Sequence, residues 1–225
     1  MTHLLVLRPE PGAAVTVANA TAAGWHPIAA PLFTVIAIDW EAPDAAAHDA
    51  LMLTSAQAVR HAGPALAAYR ALPVYAVGEA TGVAAMDAGF SDVRMGSADS
   101  ALLVTMMVRD GVRHPLHLAG REHHVLDAAP IPIARRIVYA ADPVAELPDA
   151  ARAAIERDAV VLLHSQRAGA VFADLLVRAG LDPATIRVAA ISGAAGAGPW
   201  VRIKIADAPN DSALLAAAAR LCEKG

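Results

Sequence analysis

The stretch Leu51-Met52-Leu53-Thr54-Ser55-Ala56-Gln57-Ala58-Val59 runs from apolar residues through two hydroxyls into an Ala-rich segment. Val161-Leu162-Leu163-His164-Ser165-Gln166-Arg167-Ala168-Gly169 repeats that pattern 110 positions later. Each copy predicts a buried strand that ends at a Ser and turns into a helix. Further matches extend the repeat. Val74-Tyr75-Ala76-Val77-Gly78 corresponds to Val188-Ala189-Ala190-Ile191-Ser192 at an offset of 114, and Asp99-Ser100-Ala101-Leu102-Leu103 to Asp211-Ser212-Ala213-Leu214-Leu215 at 112. The last pair predicts an Asp or Ser N-cap before each helix. One module present twice decides the architecture.

Working outward, strands are expected at His3–Leu7, Ala50–Leu53, Val74–Val77, Leu116–Leu118, Ala159–Leu163, Arg187–Ile191 and Val201–Ile205. Helices are expected at Ala13–Ala23, Gln57–Ala62, Ala80–Ala88, Ser100–Val108, Pro148–Arg157, Arg167–Ala179 and Asp211–Cys222. Such alternation predicts parallel sheets covered on both faces. The first strand and helix precede the first copy, and their counterpart is Leu116-His117-Leu118-Ala119-Gly120-Arg121, with Arg121 matching Arg8. The arrangement is therefore nested. A discontinuous first lobe takes residues 1–34 and 142–225, and a second lobe takes 37–138. Crossovers near 33–37 and 136–142 carry the β-branched runs Phe33–Ala37 and Arg136–Tyr139 suited to a paired linker.

Composition excludes several classes. The single Cys222 reads as a side chain of the last helix and rules out an intramolecular disulfide or a Cys-based zinc site. The opening twelve residues lack the pattern of a signal peptide, and no run approaches the roughly 18 apolar residues of a membrane span, so a cytoplasmic location is expected. A net charge of -4 argues against nucleic acid or an anionic membrane as partner. No GxSxG, GxxxxGK[ST] or HExxH pattern occurs, and Gly193, Gly196 and Gly198 do not fit GxGxxG. His117, His123 and His124 lack the carboxylate spacing of a metal site, so no metal is expected. Asp39, Glu41, Asp44 and Asp49 read as a solvated face.

Ligands of open parallel sheets bind beyond the carboxyl ends of the strands, where helix N-termini present backbone N–H groups. Those ends carry Arg8, Thr54, Ser55, Gly78, Glu79, Gly120, Arg121, His164, Ser165, Gln166, Ser192 and Gly193. Small hydroxyls and glycines admit a ligand close to the backbone. With two such sheets, a cleft for a large anionic ligand is expected between the lobes. Either Ser alone reads equally well as an N-cap and nothing more, but the recurrence of Ser55 and Ser165 at equivalent places favours a binding role.

VLRPEPG at the start, LMLTSAQAV from Leu51, VYAVGEATGVAAMDAGF from Val74, IVYAA from Ile137 and LLHSQRAGAVFADLL from Leu162 together resemble the uroporphyrinogen-III synthase family, in order and over almost the whole chain. The resemblance implies an α/β fold of two doubly wound parallel-sheet lobes of the HemD type, joined by a two-stranded β linker. It further implies a monomer that needs no cofactor and acts on the small molecule hydroxymethylbilane, closing it to uroporphyrinogen III with ring D inverted through a spiro intermediate. Positioning is most of that task. Few acid or base groups are needed.

By resemblance, Tyr139 is the catalytic residue, a phenol placed to help the substrate hydroxyl leave. The same ring could instead be a packed hinge side chain. Substrate carboxylates would meet Arg8, Thr54-Ser55-Ala56, Gly78-Glu79-Ala80-Thr81, Gly120-Arg121, Ser165-Gln166 and Ser192-Gly193-Ala194, with Arg167 reading as a surface residue. Two departures from the family pattern stand out: Gly-Pro-Thr is replaced around Ser192–Ala195, and Pro130 and Pro132 shorten the helix expected between Arg121 and Ile137. A two-lobed binding or sensor protein that has lost activity is the alternative reading, and an unrelated two-lobed transferase is disfavoured by the missing phosphate loop.

Overall fold

A computed structural model describes residues 2–96, 100–123 and 129–222. Two compact units emerge, Met1–Thr34 with Pro143–Gly225, and Val35–Asp142. The first carries β1 (His3–Val6), α1 (Gly12–Ala22), β2 (His26–Ala29), α5 (Asp149–Glu156), β9 (Val160–Leu163), α6 (Gln166–Arg178), β10 (Arg187–Ala190), β11 (Arg202–Ile205) and α7 (Asp211–Cys222). The second carries β4 (Ala50–Leu53), α2 (Ala56–His61), β5 (Val74–Val77), α3 (Glu79–Asp87), β6 (Val93–Gly96), α4 (Ser100–Arg109) and β7 (Pro115–Gly120). β3 (Phe33–Ala37) and β8 (Ala134–Pro143) are the two crossover strands, neighbours in the second unit's sheet. β8 is longer than the Arg136–Tyr139 run alone suggests.

The sheet orders are β11-β10-β9-β1-β2 and β3-β8-β7-β4-β5-β6. Setting β3 aside, β9, β10, β11, β1 and β2 occupy the same places as β4, β5, β6, β7 and β8. The repeat is therefore one topology cut at two different points. Every core strand pair whose register is established is parallel.

Central strands are apolar on both sides, and alternate residues serve opposite faces. Leu5, Leu7, Val161 and Leu163 pack with α5 and α6, while Leu4, Val6, Val160 and Leu162 pack against Leu214, Ala217 and Ala218 of α7 and Ala13 and Ala20 of α1. In the second unit Leu51 and Leu53 face α2 and α3, and Ala50 and Met52 face Leu103, Val104 and Met107 of α4. Each such leucine contributes about 1.5–3 kcal/mol by its burial. The abundant alanines let helices lie close to the sheets.

Two strands, β2 and β6, escape sequence reading because both are sheet edges with little apolar patterning. Pro27 is tolerated in β2 because an edge strand has an unpaired side. Four other expectations are corrected. Asn210, rather than Asp211, caps α7, its side chain accepting from the Ala213 amide at 2.9 Å. Asp99 lies outside the described residues. Asp49 accepts from the Arg113 and His114 amides at 2.6 and 2.9 Å, and Asp44 caps a single 3-10 turn, so neither is merely solvated. No helix occurs between Arg121 and Ile137 among the described residues, and His124 falls outside them.

Ser55 and Ser165 are both true N-caps: Ser55 Oγ accepts from the Gln57 amide at 3.2 Å and Ser165 Oγ from the Ala168 amide at 3.1 Å. Ser165→Ala is expected to lower the unfolding free energy by about 1 kcal/mol in urea denaturation. An unchanged midpoint would show that the cap contributes nothing.

Candidate functional site

In each sheet the chain reverses its direction of travel across the strands at one place, between β4 and β7 in the second unit and between β9 and β1 in the first. Loops leaving the two strands there diverge to opposite faces, and the gap they leave is where doubly wound sheets bind ligands. The residues at these ends are Thr54, Ser55, Gly120 and Arg121 in one unit and Arg8, His164 and Ser165 in the other. The fold thus brings the two groups to equivalent places in their own sheets. Two concavities of the first unit, of about 420 and 530 Å³, lie instead between α5 and α6 and between α1 and α7, and none of the expected site residues lines them.

At the first unit's reversal, Asp211 is the hub. Thr16 donates to it at 2.7 Å, His164 Nε2 lies at 3.1 Å, Arg8 at 3.5 Å and Asn19 at 3.4 Å. Arg8 is held flat over Gly12, where a Cβ would collide with its guanidinium. Burial opposes ionisation of Asp211, but hydrogen bonds from His164 and Thr16 and the charge of Arg8 prevail, bringing its pKa to about 2. Burial lowers the pKa of His164, with Asp211 pulling the other way. Sequence reasoning missed Asp211 and Thr16 as partners of Arg8. Thr16, set between Ala13 and Ala20 on the buried face of α1, was the available signal. Ser192, Gly193 and Ala194 lie exposed in a turn in which Ser192 Oγ accepts from the Ala195 amide at 3.2 Å. Gln166 is exposed, and Arg167 stacks over Phe33 at 4.8 Å.

At the second unit's reversal, Ala119 pairs with Ile137 but Gly120 with Tyr139, so Val138 is an extra residue. Regular alternation would leave Tyr139 on the side of Arg135 and Ile137. The bulge instead turns it to the face of Leu116, Leu118 and Val138. There its ring covers Gly120, where a Cβ would come within 2.6 Å of Cζ and 2.8 Å of the hydroxyl, and it lies 6.3 Å from the His61 ring. Arg121 pairs with Asp142 at 2.9 Å, its main-chain N–H donating to the Tyr139 carbonyl at 2.8 Å. Thr54 Oγ1 lies 3.1 Å from His117 Nε2. Gly78 takes φ +73°, which admits glycine before α3, where Glu79 is exposed and Thr81 is buried. Ala56 opens α2. No group of three or more His, Cys, Asp or Glu among the described residues could hold a metal ion, and no described helix is long and apolar enough to cross a membrane.

Burial, with Arg135 and His123 nearby, brings the pKa of His117 to about 3. An unfolded His takes its proton near pH 6.5. As pH falls from 6.5 towards 3 the unfolded chain therefore gains a proton that the folded one refuses, and stability falls. A urea series across that window should show the decline, and His117→Gln should make it shallower. Equal slopes would mean that His117 titrates as it does in the unfolded chain.

The family model of uroporphyrinogen-III synthase HemD matches residues 14–197. No curated protein matches. Among solved structures, a selenomethionine variant of uroporphyrinogen III synthase from the extreme thermophile Thermus thermophilus aligns over 100% of both chains at 14% identity with a TM-score of 0.57, a likeness of fold. The wild-type Form-2 crystal of that enzyme covers 99% of this chain and 98% of its own at 15% identity, with a TM-score of 0.44. The family match spans the second unit's reversal, β9 of the first unit and the bulged strand that carries Tyr139, and on it the chain belongs to the uroporphyrinogen-III synthase family.

Proposed function

We propose that the chain carries out its family's reaction on hydroxymethylbilane, with Tyr139 as the group at the departing hydroxyl. The observation that carries this reading is the bulge at Val138, which spends a residue of sheet pairing to put Tyr139 over Gly120 at the carboxyl end of β7. The ring A hydroxyl leaves with a proton as water, giving an azafulvene. The substituted α-carbon of ring D then attacks, the spiro intermediate fragments, and ring closure with loss of a proton yields uroporphyrinogen III. A phenol donates a hydrogen bond to the leaving oxygen without needing to ionise. Unassisted closure uses the free α-carbon and gives the non-inverted isomer, so holding the chain in one conformation is the larger part of catalysis.

The pyrrole carboxylates are received by hydroxyls, amides and charge: Thr54, Ser55 and Ala56 with Gly78, Glu79, Gly120 and Arg121 in one unit, Arg8, Ser165, Gln166, Ser192, Gly193 and Ala194 in the other. Packing qualifies two further contributions. Thr81 is 5% exposed and offers a carboxylate little surface, and Arg121 reaches a carboxylate by leaving Asp142, an exposed pair of little net worth. The protein acts as a cytoplasmic monomer and a cyclising lyase, a reading that rests on the family.

Supplied with hydroxymethylbilane, the pure protein should yield the inverted isomer; the non-inverted isomer alone would overturn the reading. Tyr139→Phe should cut kcat about 100-fold with the thermal midpoint held. Gly120→Ala, which pushes the ring aside, should lower kcat in the same direction. Wild-type turnover in Tyr139→Phe would remove Tyr139 from the chemistry.

A further inference from the structure

Among the described residues His117 is the most deeply buried imidazole of the second unit, at 1% exposure, and the reaction above makes no use of it. Its place follows from the register. His117 lies opposite Met52 of β4 on one side and Arg135 of β8 on the other. Thr54, two residues beyond Met52, extends from the same face. Three adjacent strands thus line up Arg135, His117 and Thr54. Arg135 Nε lies 3.4 Å from His117 Nδ1, and His117 Nε2 lies 3.1 Å from Thr54 Oγ1.

Proton bookkeeping fixes the direction of this chain. A guanidinium only donates, so His117 Nδ1 must offer its lone pair to Arg135. Burial, Arg135 and the His123 ring, whose centroid is 6.2 Å away, keep the imidazole neutral, so its one hydrogen sits on Nε2. Nε2 then donates to Thr54 Oγ1. The hydroxyl hydrogen of Thr54 must point elsewhere, and among the described residues no acceptor takes it. Thr54 itself is half-buried.

We infer that Arg135 and His117 are positioning residues that turn the Thr54 hydroxyl into a committed donor, making it a subsite for an acceptor-only anionic group, a substrate carboxylate. The inference rests on the reading above that Thr54 meets substrate. Without the chain a threonine hydroxyl rotates freely and can present either a lone pair or a hydrogen. With it, the oxygen is already engaged, and an incoming carboxylate meets a hydrogen aimed outward at no reorganisation cost.

The test begins on the unaltered protein. Nitrogen-15 NMR of the histidine rings should find His117 as the Nε2–H tautomer at neutral pH; the Nδ1–H tautomer overturns the inference. Arg135→Met should raise the Nδ1–H fraction, a change that a merely structural arginine would not produce. Thr54→Val should raise KM about ten-fold with kcat little changed, the loss of one hydrogen bond to a charged group. His117→Leu should raise KM similarly, the double variant should be no worse than either single one, and His117→Gln, which can still accept from Arg135 and donate to Thr54, should recover most of the loss. A KM effect in Thr54→Val with none in His117→Leu sinks the relay alone. A wild-type KM in Thr54→Val with the Nε2–H tautomer present sinks instead the placement of substrate at Thr54, and the subsite with it.

Discussion

A parallel sheet covered by helices on both faces leaves polar chemistry almost nowhere to stand except the strand ends. In this protein β4 and β9 are buried along their full length, and the first polar side chains after them, Thr54 and His164, mark where the apolar constraint is released. Backbone donors are concentrated there as well, because each strand hands over to a helix capped by Ser55 or Ser165. The rest of the site follows from which strand lies beside which. Reversal of strand order opens a gap next to β4 and next to β9, and the strands across those gaps, β7 and β1, deliver Gly120 with Arg121 and Arg8.

The two units solve the same geometric problem with different chemistry. In the first, the position after β9 holds His164 against an ionised Asp211, a charge-rich cluster that also grips Arg8. In the second, the equivalent Thr54 leans on His117, kept neutral by its burial and by the Arg135 guanidinium beside it. Arg8 and Arg121 are matched in sequence and both are ion-paired, but the Arg8 partner Asp211 is 13% exposed and the Arg121 partner Asp142 is 46% exposed. The first pair is preorganised by its surroundings. The second is a surface pair that water and salt weaken.

Much of this could be read from the sequence because burial imposes period and punctuation. Leu51–Leu53 and Val161–Leu163 are continuous apolar runs followed by a cap, and the repeat of that pattern carries the topology. What escaped was set by partners distant in the chain. β2 and β6 are short edges whose pairing needs only one neighbour, so their composition bears little mark of it. Asp211 looked like a cap by its place before a helix, yet its carboxylate is claimed by Thr16 and His164 from other elements. Tyr139 stood out in the sequence, but its aim depends on one unpaired residue in β8, a register shift that local periodicity does not encode.

The nested layout has a consequence for the order in which the chain can organise. β1 has β9 as its central neighbour, with Leu4 beside Val160, so the N-terminal strand and helix emerge early during synthesis and wait for a partner made only after the whole second unit. β4 to β8, by contrast, follow one another without interruption. The second unit can close on local contacts while the first holds an open loop whose ends are brought together by β9, and that closure carries the larger entropic cost. The middle of the chain is thus built to fold as an insert, and its two crossover strands bring the waiting N-terminal segment back alongside the part of the chain still to come.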